Sequence, residues 1–205
     1  MSDTSFSLAE ICARCAVLPA PAWHRIHDLA APRHAAILVP LIEVDGVSSV
    51  VMTRRTAQME HGGDWVFPGG RRQTEDESSA DTARREAGEE LGVDPASIDV
   101  IGQLATRGPI DTGYLVEVYV GVVTHPLSMR PDRREVAAVR AIDIAALLVD
   151  DRSFRADVSV TRADVVSDYP ALRHYSIDGD HHLWGMQADI LHEFLHHLTA
   201  GRHDF

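Results

Sequence analysis

The sequence predicts an α/β protein of the α+β kind, with a mixed central sheet covered by helices on both faces. Three observations carry this expectation. Apolar runs with strand patterning recur between His34 and Ile142, an Ala-, Glu- and Arg-rich helical segment interrupts them near residues 78–91, and a second long helical pattern lies near the end of the chain. With 205 residues and 45% hydrophobic content, the chain can bury one substantial core. The expected organisation is a single domain over 1–205, made of an N-terminal helical extension (1–33), a core (34–150) and C-terminal strands and helix (151–205).

Residues 1–33 read as one or two short helices broken by Pro19, Pro21 and Pro32. Cys12 and Cys15 form a C-x2-C pair there, a spacing that suits zinc or redox chemistry. A second ligand pair at matching spacing is missing, so both thiols are assigned to one face of an amphipathic helix over about 7–18. His34 to Val44 has the pattern of a buried strand, Asp45-Gly46 of a hairpin turn, and Ser49 to Arg54 of the returning strand. A loop over 56–66 leads to Phe67-Pro-Gly-Gly. Ser78, Ser79 or Asp81 can cap a helix that runs to about Leu91, and Gly92 stops it. Ile98–Ala105, Tyr114–Val123 and Glu135–Ile142 follow as strands, then a short helix over 143–149. Extended pieces at about 155–161 and 171–177 precede a final helix from about Leu183 to Thr199.

Composition narrows the function. The formal charge is −12, which disfavours a nucleic-acid backbone as partner. All 19 basic residues are arginine, so Schiff-base chemistry and a P-loop lysine are excluded. The chain contains no asparagine and therefore no N-glycosylation acceptor. No apolar run approaches the length of a membrane span, and no basic stretch followed by an apolar one marks the N-terminus. The expectation is a cytoplasmic protein with no membrane partner.

The chemistry concentrates in Arg85-Glu86-Ala-Gly-Glu89-Glu90-Leu-Gly-Val93. Glu86, Glu89 and Glu90 stand at i, i+3 and i+4, which brings three carboxylates to one helical face. Such charges repel, and a hard divalent cation such as Mg²⁺ or Mn²⁺ relieves the repulsion. Gly69 and Gly70 are expected to turn the backbone tightly and bring its carbonyls or amides near the ion or a phosphate. Arg85 can reach Glu89 one turn on.

This segment resembles the Nudix box, G-x5-E-x7-R-E-U-x-E-E-x-G-U with U apolar, through Gly70, Arg85, Glu86, Ala87, Glu89, Glu90, Gly92 and Val93, with the frequent Phe-Pro-Gly-Gly lead-in at 67–70. Gly70 and Arg85 lie one residue further apart than in the usual box. Asp76 keeps the spacing from the glycine and Glu77 the spacing to the arginine, so either can be the first acid. Within that family the chain looks most like the coenzyme A diphosphatase group, through Thr53-Arg54-Arg55, Thr112-Gly113-Tyr114 to Val123, Glu135-Val136 and Trp184-Gly185-Met-Gln-Ala188. It departs from that group ahead of the Phe-Pro-Gly-Gly, where the segment is one residue shorter and Glu60 stands near an expected arginine.

The resemblance implies a Nudix α/β/α sandwich and hydrolysis of a diphosphate joining a nucleoside to another group, in a small-molecule nucleotide substrate. Glu86, Glu89 and Glu90, with the Gly70 carbonyl, would hold Mg²⁺ or Mn²⁺. Arg85, Glu86, Glu89 or the distant Glu135 would serve catalysis, and Arg55, Arg71 and Arg72 would clamp phosphate oxygens. Trp65 would either stack on an adenine or pack in the core. Coenzyme A or its thioesters lead as substrate, with ADP-ribose, NADH or another dinucleotide as alternatives. A homodimer is the assembly suggested by analogy, with 1–33 and the last helix available for its interface.

Two rival readings accompany this one. His192-Glu193-Phe-Leu-His196 matches the H-E-x-x-H helix of zinc proteases, though Thr199 and Arg202 replace the glycine and histidine of its longer form. A Nudix-fold regulator that binds a nucleotide without cleaving it is the non-enzymatic alternative. Such a protein has little need of all three box glutamates.

Overall fold

The computed structural model describes residues 5–24, 33–59, 61–108, 113–125, 129–148, 152–162, 165–178 and 181–200. Along them run α1 (Leu8–Cys15), β1 (Trp23–His24), β2 (Arg33–Val44), β3 (Val47–Arg55), β4 (Trp65–Val66), β5 (Gly69–Arg71), α2 (Ser79–Leu91), a 3₁₀ turn (Pro95–Ser97), β6 (Ile98–Gln103), β7 (Thr106–Arg107), β8 (Tyr114–Val123), β9 (Val136–Asp143), α3 (Ile144–Leu148), β10 (Ser153–Arg162), β11 (Val165–Asp178), β12 (His181–Trp184) and α4 (Gly185–Thr199).

The hairpin forms where the Asp-Gly pair demands it. Asp45 and Gly46 both take positive φ, 53° and 77°, the geometry that joins twisted antiparallel strands through two residues. β2 then pairs antiparallel with β3 through Leu41↔Val50 and parallel with β8 from Arg33↔Tyr114 to Leu41↔Val122. The main sheet runs β1-β7-β8-β2-β3-β4, with β5 against β2, β6 against β8 and β9 against β3. β2 is buried without a break from Ala36 to Ile42 because both faces are covered. Ala36, Leu38 and Ile42 pack with Ala83, Ala87 and Leu91 of α2. Ile37, Val39 and Leu41 belong to the larger core that includes Ile11 of α1 and Phe194 and Leu198 of α4. Helices therefore cover both faces of a mixed sheet, as the strand and helix patterns predict.

α1 begins with a capping box in which Ser7 and Glu10 satisfy each other's backbone amides. Its apolar side buries Phe6, Ile11 and Cys15 in the core shared with α4. The apolar faces of α1 and α4 therefore pack on each other and on the sheet. Burial raises the Cys15 thiol to about 12 and also raises Cys12, so neither is poised as a thiolate.

The C-terminal region departs most from expectation. β10, β11 and β12 form a separate antiparallel three-stranded sheet, and β10 and β11 are longer than the sequence suggested. α4 starts at Gly185, not Leu183. Leu183 instead pairs with Tyr175 in β12, and both are buried. Four residues carry too little alternation to announce a strand, and partner pairing decided this one.

Candidate active site

α2 is fixed at both ends by local chemistry. Ser78 is the N-cap and accepts the Asp81 amide at 3.2 Å. Gly92 ends the helix with φ 65°, and a Cβ there would collide with the Arg130 backbone. β5 lies antiparallel to β2 through Ala36↔Gly70 and Ile37↔Gly69. Gly69 and Gly70 thus sit in paired strand, which corrects the expected tight turn; neither has a positive φ. What they permit is close approach. A Cβ on Gly69 would overlap Ala36 O and the Ile37 backbone, and one on Gly70 would occupy the place of the Glu86 carboxyl.

The three glutamates of α2 meet different surroundings. Glu90 is 5% exposed, and its Oε2 accepts the Thr53 hydroxyl at 3.1 Å while the Gly69 amide approaches Oε1 at 3.5 Å. Burial pushes its carboxyl up to about 7, against the Gly69 and Thr53 hydrogen bonds and the charge of Arg55, and Glu86 adds to the rise. Glu86 is raised too, first by burial, against Arg85, with Glu89 and Glu135 contributing repulsion. The Glu89 side chain is more than half exposed.

Arg85 joins the loop to the helix. Its Nε and one terminal nitrogen hold both oxygens of Asp76 at 2.9 and 3.1 Å. It also reaches Glu86 at 2.9 Å, Glu89 at 3.3 Å and the Arg71 carbonyl at 3.0 Å. Asp76 further accepts the Gln73 amide and the Thr82 hydroxyl, each at 2.9 Å. Arg85, above all, holds the Asp76 carboxyl down at about 2. Asp76 is buried and Glu77 exposed, so Asp76 is the acid turned toward Arg85. The extra residue of the spacing is absorbed in the loop before α2.

The remaining sequence candidates fare unequally. Glu135 is exposed and close enough to Glu86 to raise it electrostatically. Arg55 faces Glu90 strongly enough to lower it. Arg71 lies over the Tyr114 ring at 5.3 Å. Arg72 gives a terminal nitrogen to the carbonyls of Asp76 and Glu77, at 3.2 and 2.9 Å, and so braces the loop before α2. Trp65 is 6% exposed and edge-on to His181, which is the core-packing alternative of the two the sequence offered. Glu60 and Thr112 lie outside the described residues.

The H-E-x-x-H reading fails on its partners. Glu193 pairs with Arg107 and accepts the Ala105 amide, and His192 Nδ1 is bonded to the Tyr175 hydroxyl at 3.0 Å. That glutamate anchors α4 to the sheet. Sequence reasoning missed the role of Thr53 toward Glu90, and of Gln187, whose Oε1 accepts the Phe67 amide at 3.0 Å. It also missed Glu117, which accepts from Ser79 and Tyr119 at 2.8 Å each. Strand alternation could have placed Thr53 on the face of β3, but its partner on α2 is a matter of packing.

Among the described residues, no three His, Cys, Asp or Glu side chains converge as a complete cation cage. The donors nevertheless fit a hard dication in kind. Glu90 is a buried carboxylate and Glu86 a half-buried one, and Glu90 is held by uncharged donors that orient it without neutralising it.

A carboxylate-bearing helix laid against a Gly-Gly strand, and braced by an arginine to a preceding acid, is an acidic loop–helix–loop arrangement. The NUDIX domain family matches residues 32–162, and the chain belongs to the Nudix family as a Nudix hydrolase. Nudix hydrolases generally use divalent metal ions. An uncharacterized Nudix hydrolase NudL from Klebsiella pneumoniae subsp. pneumoniae is 30% identical over 203 residues, covering 98% of this chain and 99% of that protein. A protein of the same name from Escherichia coli K12 is 33% identical over 163 residues, 78% of this chain and 80% of that one. Among solved structures, a MutT/nudix family protein from Enterococcus faecalis aligns over 91% of this chain and 67% of its own, at 18% identity and a TM-score of 0.48.

Proposed function

We propose that this Nudix hydrolase cleaves the diphosphate linkage of a nucleoside diphosphate joined to a second group, with coenzyme A and its thioesters as the leading substrates. The observation that carries the reading is the placement of Glu86 and Glu90 against Gly69-Gly70. Glu90 is buried and Glu86 half-buried beside a strand whose glycines leave room for close approach. Glu86, Glu89 and Glu90, with the Gly70 carbonyl, would hold Mg²⁺ or Mn²⁺. When bound, that ion neutralises diphosphate oxygens and favours ionisation of water. Glu89, Glu86 or the neighbouring Glu135 takes the proton as the water oxygen bonds to phosphorus and the bridging P–O bond breaks. Arg55 and Arg71 offer guanidinium donors to phosphate oxygens. Arg85 acts through the carboxylates it holds.

The coenzyme A choice rests on the resemblance at Thr53-Arg54-Arg55 and Trp184-Gly185-Met-Gln-Ala188. Its products would be 3′,5′-ADP and 4′-phosphopantetheine, acylated if a thioester entered. The test is incubation with Mg²⁺ or Mn²⁺ and coenzyme A, acetyl-coenzyme A, ADP-ribose, NADH or nucleoside triphosphates, with products separated by chromatography. Release of 3′,5′-ADP from coenzyme A is the expected result. Cleavage of ADP-ribose or NADH alone would keep the chemistry and replace the substrate. Silence across the panel, with nucleotide binding intact, would favour the binding module.

A further inference from the structure

We propose that Thr53, a residue outside the box, is a positioning residue that sets the orientation of Glu90 for metal binding. The inference rests on the reading of Glu90 as a metal ligand and names what holds that ligand in place.

Thr53 lies on β3, fully buried, with β4 on one side through Thr53↔Val66 and β9 on the other through Thr53↔Val139. A residue paired on both sides has little backbone freedom, and its β-branched side chain has few rotamers. The hydroxyl donates to Glu90 Oε2 at 3.1 Å; its other acceptor within reach, the Val66 carbonyl, is at 3.4 Å. The second Glu90 oxygen faces the Gly69 amide at 3.5 Å. Both oxygens are therefore directed by groups on the sheet, one on β3 and one on β5.

The nature of these donors matters. Asp76 is gripped at both oxygens by a guanidinium, a salt bridge that satisfies the carboxylate and leaves little charge for a metal. Glu90 has a hydroxyl and a long amide contact instead. Neutral donors fix its direction and leave its charge available, an arrangement suited to the outer partner of a metal-binding carboxylate. An arginine in place of Thr53 would compete with the cation. Valine has the same shape as threonine and favours strand, so it removes the hydroxyl with little change to the backbone.

The experiment measures Mn²⁺ binding to the full chain by the loss of the free-ion electron paramagnetic resonance signal. It compares wild type, Thr53→Val, Thr53→Ser and Glu90→Gln, with thermal melts as folding controls. The expected pattern is loss of binding in Glu90→Gln and weakening of about 10- to 100-fold in Thr53→Val, the usual range for such outer partners. Thr53→Ser, which restores the hydroxyl, should return to within about threefold of wild type. On the diphosphate cleaved by wild type, saturating Mn²⁺ should leave the KM of Thr53→Val unchanged while kcat falls. Wild-type Mn²⁺ affinity in a folded Thr53→Val protein, with Glu90→Gln still defective, would overturn the role of Thr53 and leave the metal reading standing. Equal Mn²⁺ binding by wild type and Glu90→Gln, or none by either, would overturn both.

Discussion

At the scale of single residues, the site sets two carboxylates against each other. The Arg85 guanidinium, above all, holds Asp76 down at about 2, whereas burial pushes Glu90 up to about 7 against its two neutral donors. Asp76 is depressed below its unfolded value of about 3.8. Its contribution to stability is therefore present above that value and is lost as pH falls toward 2. Urea denaturation between pH 5 and pH 2 should show a steep fall in wild type and a shallower one in Asp76→Asn, which starts less stable. Glu90→Gln should behave in the opposite sense. It removes a buried charge, so the metal-free protein should melt no lower than wild type, while turnover with Mg²⁺ falls about 10²-fold or more. A large loss of Tm together with activity would make Glu90 a structural residue.

At the scale of elements, glycines separate folding from chemistry. Gly92 closes α2 with a positive φ and lies against the Arg130 backbone. Gly92→Ala should cost more than about 1 kcal/mol in urea denaturation. Gly70 has no such φ; its Cα borders the Glu86 carboxyl. Gly70→Ala should displace that carboxyl and lower turnover with a smaller effect on stability, a contrast that kinetics and melts together would read. The three-stranded sheet offers another test. His174 is 8% exposed, neither ring nitrogen has a hydrogen-bond partner among the described residues, and Phe154 stacks on it at 5.0 Å. Burial, helped by His182, lowers its pKa below 6.5. Protons then bind the unfolded chain better, so stability holds above about pH 6.5 and declines as pH falls through the folded value. His174→Phe should flatten that decline in melts between pH 8 and pH 5.

At the scale of the whole molecule, the C-terminal helix lies beyond the residues that match the family and yet reaches the site. Gln187 accepts the Phe67 amide ahead of Gly69-Gly70, and Glu193 ties α4 to Arg107 and Ala105 on the far side of the core. Arg107 and Glu193 have side chains 11% and 18% exposed, so removal of one partner strands a charge with little water around it. Glu193→Ala should lower stability by about 3–5 kcal/mol, and Zn²⁺ should restore none of it. Peptide hydrolysis lost in that variant would revive the protease reading; loss of stability alone fits an anchor.

What the sequence determined by itself was local. The Asp45-Gly46 turn, a cap among Ser78, Ser79 and Asp81, the Gly92 stop and the glutamate face of α2 follow from conformational preferences and helical spacing, which act between residues a few positions apart. The strands over 34–44 and 114–123 were legible because they carry unbroken apolar or alternating patterns. Only the tertiary structure decided that Asp76 rather than Glu77 meets Arg85, that Thr53 directs Glu90 across 37 positions, that Gln187 meets Phe67 across 120, and that residues 181–184 form a strand. It also chose the core for Trp65 and set one Arg72 nitrogen on the carbonyls of its own loop. Each outcome depends on which surfaces become buried together, and burial is settled by the packed chain rather than by neighbouring residues.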